Sequence, residues 1–236
     1  MSTPDGYGFR ANKLLAALPA HEYHRLVPSL EAVSLQMKDG LYKPNTPIEY
    51  IYFPLSGMAS ILVTLGDGTY VEAGIAGNEG MVGLPVFLGV DQTPTEAFYQ
   101  IAGEAVRMRS DDFRAEINRN GALVSLLQRY AQFQIVLLSQ NAACNSQHHI
   151  NERCARWLLL THDRAGDDQF TLTQEFLSQM LGVRRAGVNL VMQTLQNAGC
   201  IRYSRGSLHI LNRAGLEEAA CECYGIIAAE YKRLLG

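Results

Sequence analysis

Two short stretches carry residue types whose spacing could do chemistry. The first is Arg184-Arg185-Ala186-Gly187-Val188-Asn189-Leu190. Arginine can present two parallel donors to the O6 and N7 edge of guanine, and asparagine can pair in the same way with adenine. Read as a helix, this stretch turns Val188, Val191 and Leu195 inward and Arg185, Ala186, Asn189 and Gln193 outward. The second stretch is "GNEGMVGLPVFLGVDQTPTEA", residues 77–97, with four glycines in its first thirteen residues. Glycine-rich loops can wrap a phosphate with backbone N–H groups, so this one has the shape of an anion cradle.

Charge separates the two. From Pro44 to Val106 there is no lysine or arginine, against seven acidic side chains. Among them, Glu79, Asp91 and Glu96 would repel a phosphate at close range. From Phe176 to Leu216 the balance reverses, with Arg184, Arg185, Arg202, Arg205 and Arg213 and no acid. The second region invites an anion and the first does not. The net charge of the whole chain is −3, so this signal lies in its distribution.

The elements needed to position the arginines can be read around them. Thr173 is placed to cap a helix, "QEFLSQML", whose apolar face is Phe176, Leu177, Met180 and Leu181. Gly182 supplies a left-handed turn into the next helix. After that helix, Ile201 and Tyr203, a turn at Arg205-Gly206-Ser207, and Leu208 to Leu211 read as a hairpin. This is a helix–turn–helix with a wing. Arg184, Arg185, Asn189 and Leu190 are expected to meet bases, Leu190 through a thymine methyl. Thr173, Gly187, Gln193, Arg202, Arg205 and Ser207 are expected at the backbone, where contacts position without reading sequence. Gly187 would let a backbone approach closely.

Upstream, "ANKLLAALPAHEYHRLVPSLEAV" reads as short helices broken at Pro19 and Pro28. Then β-branched and aromatic residues with turns at Ser56-Gly57 and Asp67-Gly68 predict an antiparallel β-roll of jelly-roll type, ending near Met108. "DDFRAEINRN" reads as a short helix opened by an aspartate cap. From Gly121 to about His148 a long helix carries Leu123, Leu127, Tyr130, Gln134, Leu137, Asn141, Cys144 and His148 at three–four spacing, with Arg129 its only charge. Its predicted role is to pack one face on the β-roll and another on a second copy, with Leu123, Leu127, Tyr130, Leu137, Asn141 and Cys144 along the dimer seam. A helix buried inside a monomer is the alternative. The fold class is thus α+β: a loose arm (1–12), a β-roll domain (13–120), a dimerisation helix (121–148), a winged helix–turn–helix (149–215) and a C-terminal helix (216–236).

Several function classes find no support. No run of 18 uncharged apolar residues exists, so no membrane span or membrane partner is expected. The N-terminus lacks a signal-peptide pattern, and five cysteines follow no disulfide spacing, which suits a reducing cytoplasm. Cys221 and Cys223, two apart on an expected helix, should face different ways and suit neither a metal nor a mutual disulfide. His148-His149 reads as a hinge, not a metal pair. No metal, cofactor or catalytic constellation is predicted, so the chain is not expected to be an enzyme.

The fragments "ERCARWLLLTHDR", "LTQEFLSQMLGVRR" and "LQNAGCIRYSRGSLHIL", and the order of elements, resemble the Crp/Fnr transcription regulators over nearly the full length. The resemblance implies a homodimer on a roughly palindromic double-stranded DNA site, with a signal in the β-roll altering the pose of two reading helices about one DNA turn apart. Two family positions on the reading helix, a Glu and an Arg, here hold Ala186 and Leu190, while the leading arginine is kept as Arg185. The sequence read should therefore differ. An Fnr-type iron–sulfur centre needs N-terminal cysteines, and the first cysteine here is Cys144.

By the same resemblance the effector pocket would involve Gly77, Gly80, Gly83, Leu84, Thr95 and Glu96. The family's ribose-binding Glu falls at Leu84 or Pro85 and its phosphate-binding Arg near Pro94 or Thr95, so cyclic AMP and cyclic GMP are not expected ligands. Three readings of the β-roll stay open. It binds a neutral molecule among Tyr50, Tyr52, Phe53 and Phe98, it is a scaffold contacting RNA polymerase, or the signal lies elsewhere, as in cysteine oxidation. Haem through His21 or His24 has family precedent and no support in spacing. A rival from another class is a small-molecule- or partner-binding β-roll protein whose winged helix docks protein instead of DNA.

Overall fold

The computed structural model describes residues 7–236. The loose arm expected for residues 1–12 does not extend to its C-terminal half: residues 7–11 form a 3-10 turn and Asn12 is fully buried. The Asn12 side-chain oxygen accepts from the backbone N–H groups of Leu14 and Leu15, and its amide donates to the carbonyls of Pro54 and Gly80. It therefore caps α1 (Lys13–Ala16) and pins it to the β-roll. The remainder of the arm lies outside the described residues. Pro19 opens α2 (Ala20–Leu26), as its fixed φ allows.

Seven strands follow: β1 (Glu31–Leu35), β2 (Gly40–Tyr42), β3 (Tyr50–Pro54), β4 (Met58–Thr64), β5 (Tyr70–Ala76), β6 (Glu96–Ile101) and β7 (Gly103–Arg109). They pair antiparallel in two sheets, ordered β1-β7-β3 and β2-β6-β4-β5. Ile51, Phe53 and Val106 of the first sheet share one core with Met58, Ile75 and Tyr99 of the second. A short helix α3 (Leu84–Phe87) interrupts the strands in the glycine-rich loop. Helix α4 (Ser110–Ile117) begins without a side-chain cap; Asp111 and Asp112 lie inside its first turn rather than at the cap position expected of them.

Helix α5 (Ala122–Gln147) is 26 residues long. The Glu22 carboxylate of α2 accepts from the N–H groups of Ala122 and Leu123 and so closes its N-terminus. The stripe expected to form the dimer seam instead faces the chain's own β-roll. Leu123, Leu127, Tyr130 and Leu137 are buried in its core, Tyr130 Oη donates to the Met81 carbonyl at 3.0 Å, and the Asn141 amide donates to the Ala73 carbonyl at 2.9 Å. Cys144 is buried as well. The outward face holds Gln128, Arg129, Gln132, Ile135, Ser139 and Ala142, with Ile135 58% exposed. Periodicity located the apolar face but could not say what covers it.

Two residues, His148 and His149, separate α5 from α6 (Ile150–Ala165), and His149 caps α6 reciprocally with Glu152. Strands β8 (Gln169–Thr171), β9 (Ile201–Ser204) and β10 (Ser207–Ile210) form a sheet in the order β8-β10-β9. Helices α7 (Gln174–Leu181), α8 (Arg185–Asn197), α9 (Arg213–Ala219) and α10 (Cys223–Leu235) complete the chain. No helix among the described residues is long and apolar enough to cross a membrane.

The C-terminal unit docks on the β-roll through specific contacts. Phe98 meets Phe176 edge to face with centroids 5.9 Å apart. Arg164 Nε lies 2.7 Å from Glu79 Oε1, with both side chains buried. Trp157 Nε1 donates to Glu72 Oε1 at 2.8 Å, and Ser60 Oγ donates to Glu72 Oε2 at 2.9 Å. Burial pushes the Glu72 carboxyl up to about 7, against the pull of those hydrogen bonds and of Arg156 and Arg164.

An acid whose folded pKa is raised binds its proton more tightly in the folded state. Stability therefore falls as pH rises from the ordinary carboxylate value to about 7, and levels off above it. The expected loss is up to about 3 kcal/mol. Urea denaturation at pH 5 and pH 8 should show this decline in the wild type and a much smaller one in Glu72→Gln. An unchanged decline in the variant would assign it to other groups.

Candidate nucleic-acid interface

The Thr173 Oγ1 accepts from Phe176 N at 3.1 Å and caps α7. Gly182 ends α7 in the left-handed region at φ 62°, where a β-carbon would be strained. Arg184 is the N-cap of α8, and Arg185 is its first residue. Val188, Val191, Met192 and Leu195 are buried beneath α8, whereas Arg184, Arg185, Ala186, Asn189, Leu190 and Gln193 are exposed. Leu190 is 67% exposed, a large apolar side chain held in water on the same outer face as Arg185 and Asn189. Arg185 has one loose acidic neighbour, Glu175 at 3.8 Å, with both side chains mostly solvated. Such a pair contributes little and is readily exchanged for another anion.

The wing is a two-residue hairpin. Arg205 at φ 49° and Gly206 at φ 81° both occupy the left-handed region, as a type I′ turn requires, and Ser204 pairs with Ser207. The Gly206 carbonyl accepts from Leu172 N at 2.8 Å, so the loop that carries Thr173 is tied to the wing tip. Arg202 and Arg205 are exposed. The Ser207 hydroxyl accepts from Gln169 Nε2 at 2.8 Å, which leaves its own proton free to donate.

A β-carbon on Gly187 would meet Ile150 Cδ1 of α6 at 3.4 Å, an ordinary contact, so packing there does not itself demand glycine. One sequence assignment changes here. Arg213 is bound to Asp163, Glu217 and Tyr224 and does not belong to the exposed basic set.

The glycine loop is likewise reassigned. A β-carbon on Gly80 would lie 2.3 Å from Tyr130 Oη, and one on Gly77 2.7 Å from Arg164 Cγ. These two glycines let α5 and α6 approach and do not line the neighbouring cavity. That cavity, of about 180 Å³, is bounded by Tyr42, Ile61, Met81, Gly83, Leu84, Thr95, Tyr130, Gln134 and Leu138, with no charged side chain among its lining residues. Of the six expected pocket residues it takes Gly83, Leu84 and Thr95; Glu96 is at the sheet surface, accepting from Thr64 Oγ1 at 2.8 Å. Tyr50, Tyr52, Phe53 and Phe98 do not line it. Glu79, expected to repel a phosphate there, is engaged with Arg164.

The cysteines also differ from expectation. Cys221 lies in the link between α9 and α10, and Cys223 is the first residue of α10, so helical geometry does not separate them. Both turn toward the end of α5, where Cys144 Sγ is 3.4 Å from Cys221 Sγ and Cys223 Sγ is 3.7 Å from His148 Nδ1. Burial opposes ionisation of Cys144, but the nearby Arg156 and His148 hold its thiol below the usual value. Burial pushes the Cys221 thiol up to about 12 and raises Cys223. Two half-signals were present in the sequence, Cys144 and His148 four apart on a helix and Cys-x-Cys at 221–223.

The molecule's similarities to known proteins agree with this geometry. Residues 152–219 match the family model of the Crp-like helix-turn-helix domain. The whole fold is similar to FixK2 from Bradyrhizobium japonicum, with a TM-score of 0.69 at 16% identity, covering 81% of this chain and 98% of that one. A transcriptional regulator of the Crp/Fnr family from Eubacterium rectale gives 0.67 at 15% identity, covering 89% and 98%. The c-di-GMP-responsive global regulator CLP of Xanthomonas campestris gives 0.60 at 15%, covering 81% and 99%. At such identities the likeness is one of fold. A segment of 77 residues is 32% identical to the U3 small nucleolar RNA-associated protein 20 of Schizosaccharomyces pombe, spanning 33% of this chain but only 3% of that protein, too small a share to bear on function. The C-terminal unit is a Crp-like helix-turn-helix domain, carried on a chain with the fold of the Crp/Fnr regulators.

Proposed function

We propose that the chain is a sequence-specific DNA-binding transcription regulator, not an enzyme, acting as a homodimer on a roughly palindromic site. The observation that carries this reading is the outer face of α8. Within a region matched to a Crp-like helix-turn-helix, Arg184, Arg185, Asn189 and Leu190 stand exposed beside a wing that carries Arg202 and Arg205. Thr173, Gln193 and Ser207 sit around them and supply hydroxyl and amide groups for phosphate oxygens. Of these arginines, Arg185 alone among the described residues has an acidic neighbour, the solvated Glu175, so the set stays open to the phosphates of DNA.

The dimer contact is assigned to the outward face of α5, around Ile135, because that face carries a single charge, Arg129, where most solvated helix faces are highly charged. The β-roll cavity suits a small uncharged molecule and lacks the cation that a cyclic nucleotide's phosphate requires. RNA polymerase is a further partner on this reading.

Binding to promoter fragments should weaken steeply with salt. Arg185→Ala should relax preference at one base position, costing about 1–3 kcal/mol there, whereas Arg205→Ala should weaken all sequences alike and reduce the salt slope by about one. If both variants keep wild-type affinity, the DNA-binding reading fails; if both lose affinity without a change in preference, α8 is not the reading helix.

Ile135→Glu should shift the sedimentation of the purified protein from dimer to monomer and lower DNA affinity at dilute protein. A variant that remains dimeric places the contact elsewhere. Calorimetry with cyclic AMP and cyclic GMP should show no micromolar binding, and a micromolar dissociation constant for either would overturn the cavity argument.

A further inference from the structure

At the junction of α5, α6 and α10, four potential metal ligands converge. One donor atom from each of Cys144, His148, Cys221 and Cys223 lies within 4.8 Å of every other. We propose that these four residues hold a single tetrahedral Zn(II)-type ion that ties the hinge between α5 and α6 to the start of α10.

The dimensions select a mononuclear site. With metal–sulfur bonds of about 2.3 Å, a regular tetrahedron has ligand–ligand edges of roughly 3.8 Å. The Cys144–Cys221 edge is 3.4 Å and the Cys223–His148 edge 3.7 Å, so small side-chain adjustments suffice. An iron–sulfur cluster would hold its cysteines farther apart. Three thiolates and one imidazole form a closed Cys₃His set of the structural zinc type, with soft ligands that disfavour calcium and magnesium.

Two further observations point to a bound cation. The His148 ring turns Nδ1 toward the thiols, while its Nε2 lies 3.3 Å from Glu222 Oε1. A carboxylate on the far nitrogen fixes the tautomer that leaves Nδ1 free to coordinate. Beside Cys144 lies the guanidinium of Arg156, only 4% exposed, bound to Asn141 Oδ1 and with Nε lacking a partner. Among the described residues Arg156 makes no ion pair. A divalent ion with three thiolates carries one net negative charge, which would set an anionic group beside this buried cation, whose other anionic influence is Glu72, beyond ion-pair distance.

The ligands come from separate segments that the fold already holds together. Cys144 lies in the last turn of α5, and His148 is its C-cap. Cys221 and Cys223 flank the start of α10, which packs along α5 through Phe133 and Tyr231, with ring centroids 5.5 Å apart. Binding releases the three thiol protons to solvent, while His148 coordinates as the neutral imidazole. A Cys144–Cys221 disulfide, the rival use of the close sulfur pair, would leave His148, Cys223 and Glu222 without a role. The metal site stands independently of the DNA-binding reading.

The test uses the full-length protein purified under reductant and dialysed against metal-free buffer. Mass spectrometry of its metal content should find about one zinc per chain. Protein stripped of zinc and titrated with Co(II) alone should develop the strong visible bands of tetrahedral thiolate coordination. Cys221→Ser and Cys223→Ser should abolish those bands, Glu222→Gln should weaken zinc about tenfold or more, and Cys200→Ser, outside the cluster, should retain them. The proposal is overturned if the wild type takes up neither zinc nor Co(II) in tetrahedral form. It is equally overturned if Cys221→Ser binds like the wild type, or if a Cys144–Cys221 disulfide is found in place of metal. Should the cysteine variants fail to fold, the wild-type stoichiometry and Co(II) spectrum decide the matter.

Discussion

The Tyr130 ring of α5 packs into a space that exists only because residue 80 is glycine; a β-carbon there would sit 2.3 Å from its hydroxyl oxygen. That close approach lets α5 lie against the β-roll for most of its length. At about 1.5 Å per residue, its 26 residues extend roughly 39 Å. Along this one rod come, in turn, the Glu22-capped start, Tyr130, Gln134 and Leu138 at the cavity, Asn141 at β5, and Cys144 with His148 at the link to α6. A loosened contact at residue 80 would disturb all of them together, since a helix moves as a rigid element over this distance.

The C-terminal unit is held in place by buried polar contacts rather than by apolar surface alone. Glu79 and Glu72 of the β-roll are each buried with one partner from α6, Arg164 and Trp157. Taking such groups out of water is costly, and their attraction offsets the cost only when the geometry is met. Apolar contacts such as Phe98 on Phe176 tolerate sliding; a buried carboxylate does not. The pose of α8 relative to the β-roll is therefore set by a few directional bonds, and it can change by exchanging those few.

The parts that sequence revealed are those whose signals are local. The Thr173 cap, the left-handed Gly182 and the three–four pattern of α8 fix that motif within a dozen residues, and Arg205-Gly206 marks its wing. The scarcity of charge in α5, with Arg129 alone, pointed to cover beyond the β-roll, and within the chain that cover comes from α10. What could not be read depended on chain segments far apart in sequence. Leu123, Leu127 and Leu137 have the spacing of a seam whether the cover is a second copy or a β-sheet. Gly77 and Gly80 look like a phosphate cradle until Arg164 and Tyr130 are seen filling the space beside them. Cys221 and Cys223 were separated by an assumed helix that begins at Cys223, and Arg213 was counted with the basic face before Asp163, 50 residues away, claimed it.

The order of features along α5 constrains how the molecule can respond to a signal. Leu138 at the cavity and Asn141 are one helical turn apart, and Asn141 bonds both the Ala73 carbonyl of β5 and Arg156 of α6. Arg156 lies beside Cys144, whose thiol it favours in the ionised form. The cavity, the docking network and the α5–α6 link are therefore consecutive stations of one continuous set of contacts. A cavity ligand could alter the pose of α8 only by binding one arrangement of this set more tightly than another. A neutral ligand has no charge with which to do so, leaving shape and hydrogen bonding: the arrangement of Tyr130, Gln134 and Leu138 must differ between the two states. An ion at the cysteine cluster acts on the same set from its other end, with charge as its means, because it changes the electrostatic surroundings of Arg156 directly. Two inputs of different chemistry can in this way meet at Asn141 and Arg156 without sharing a site.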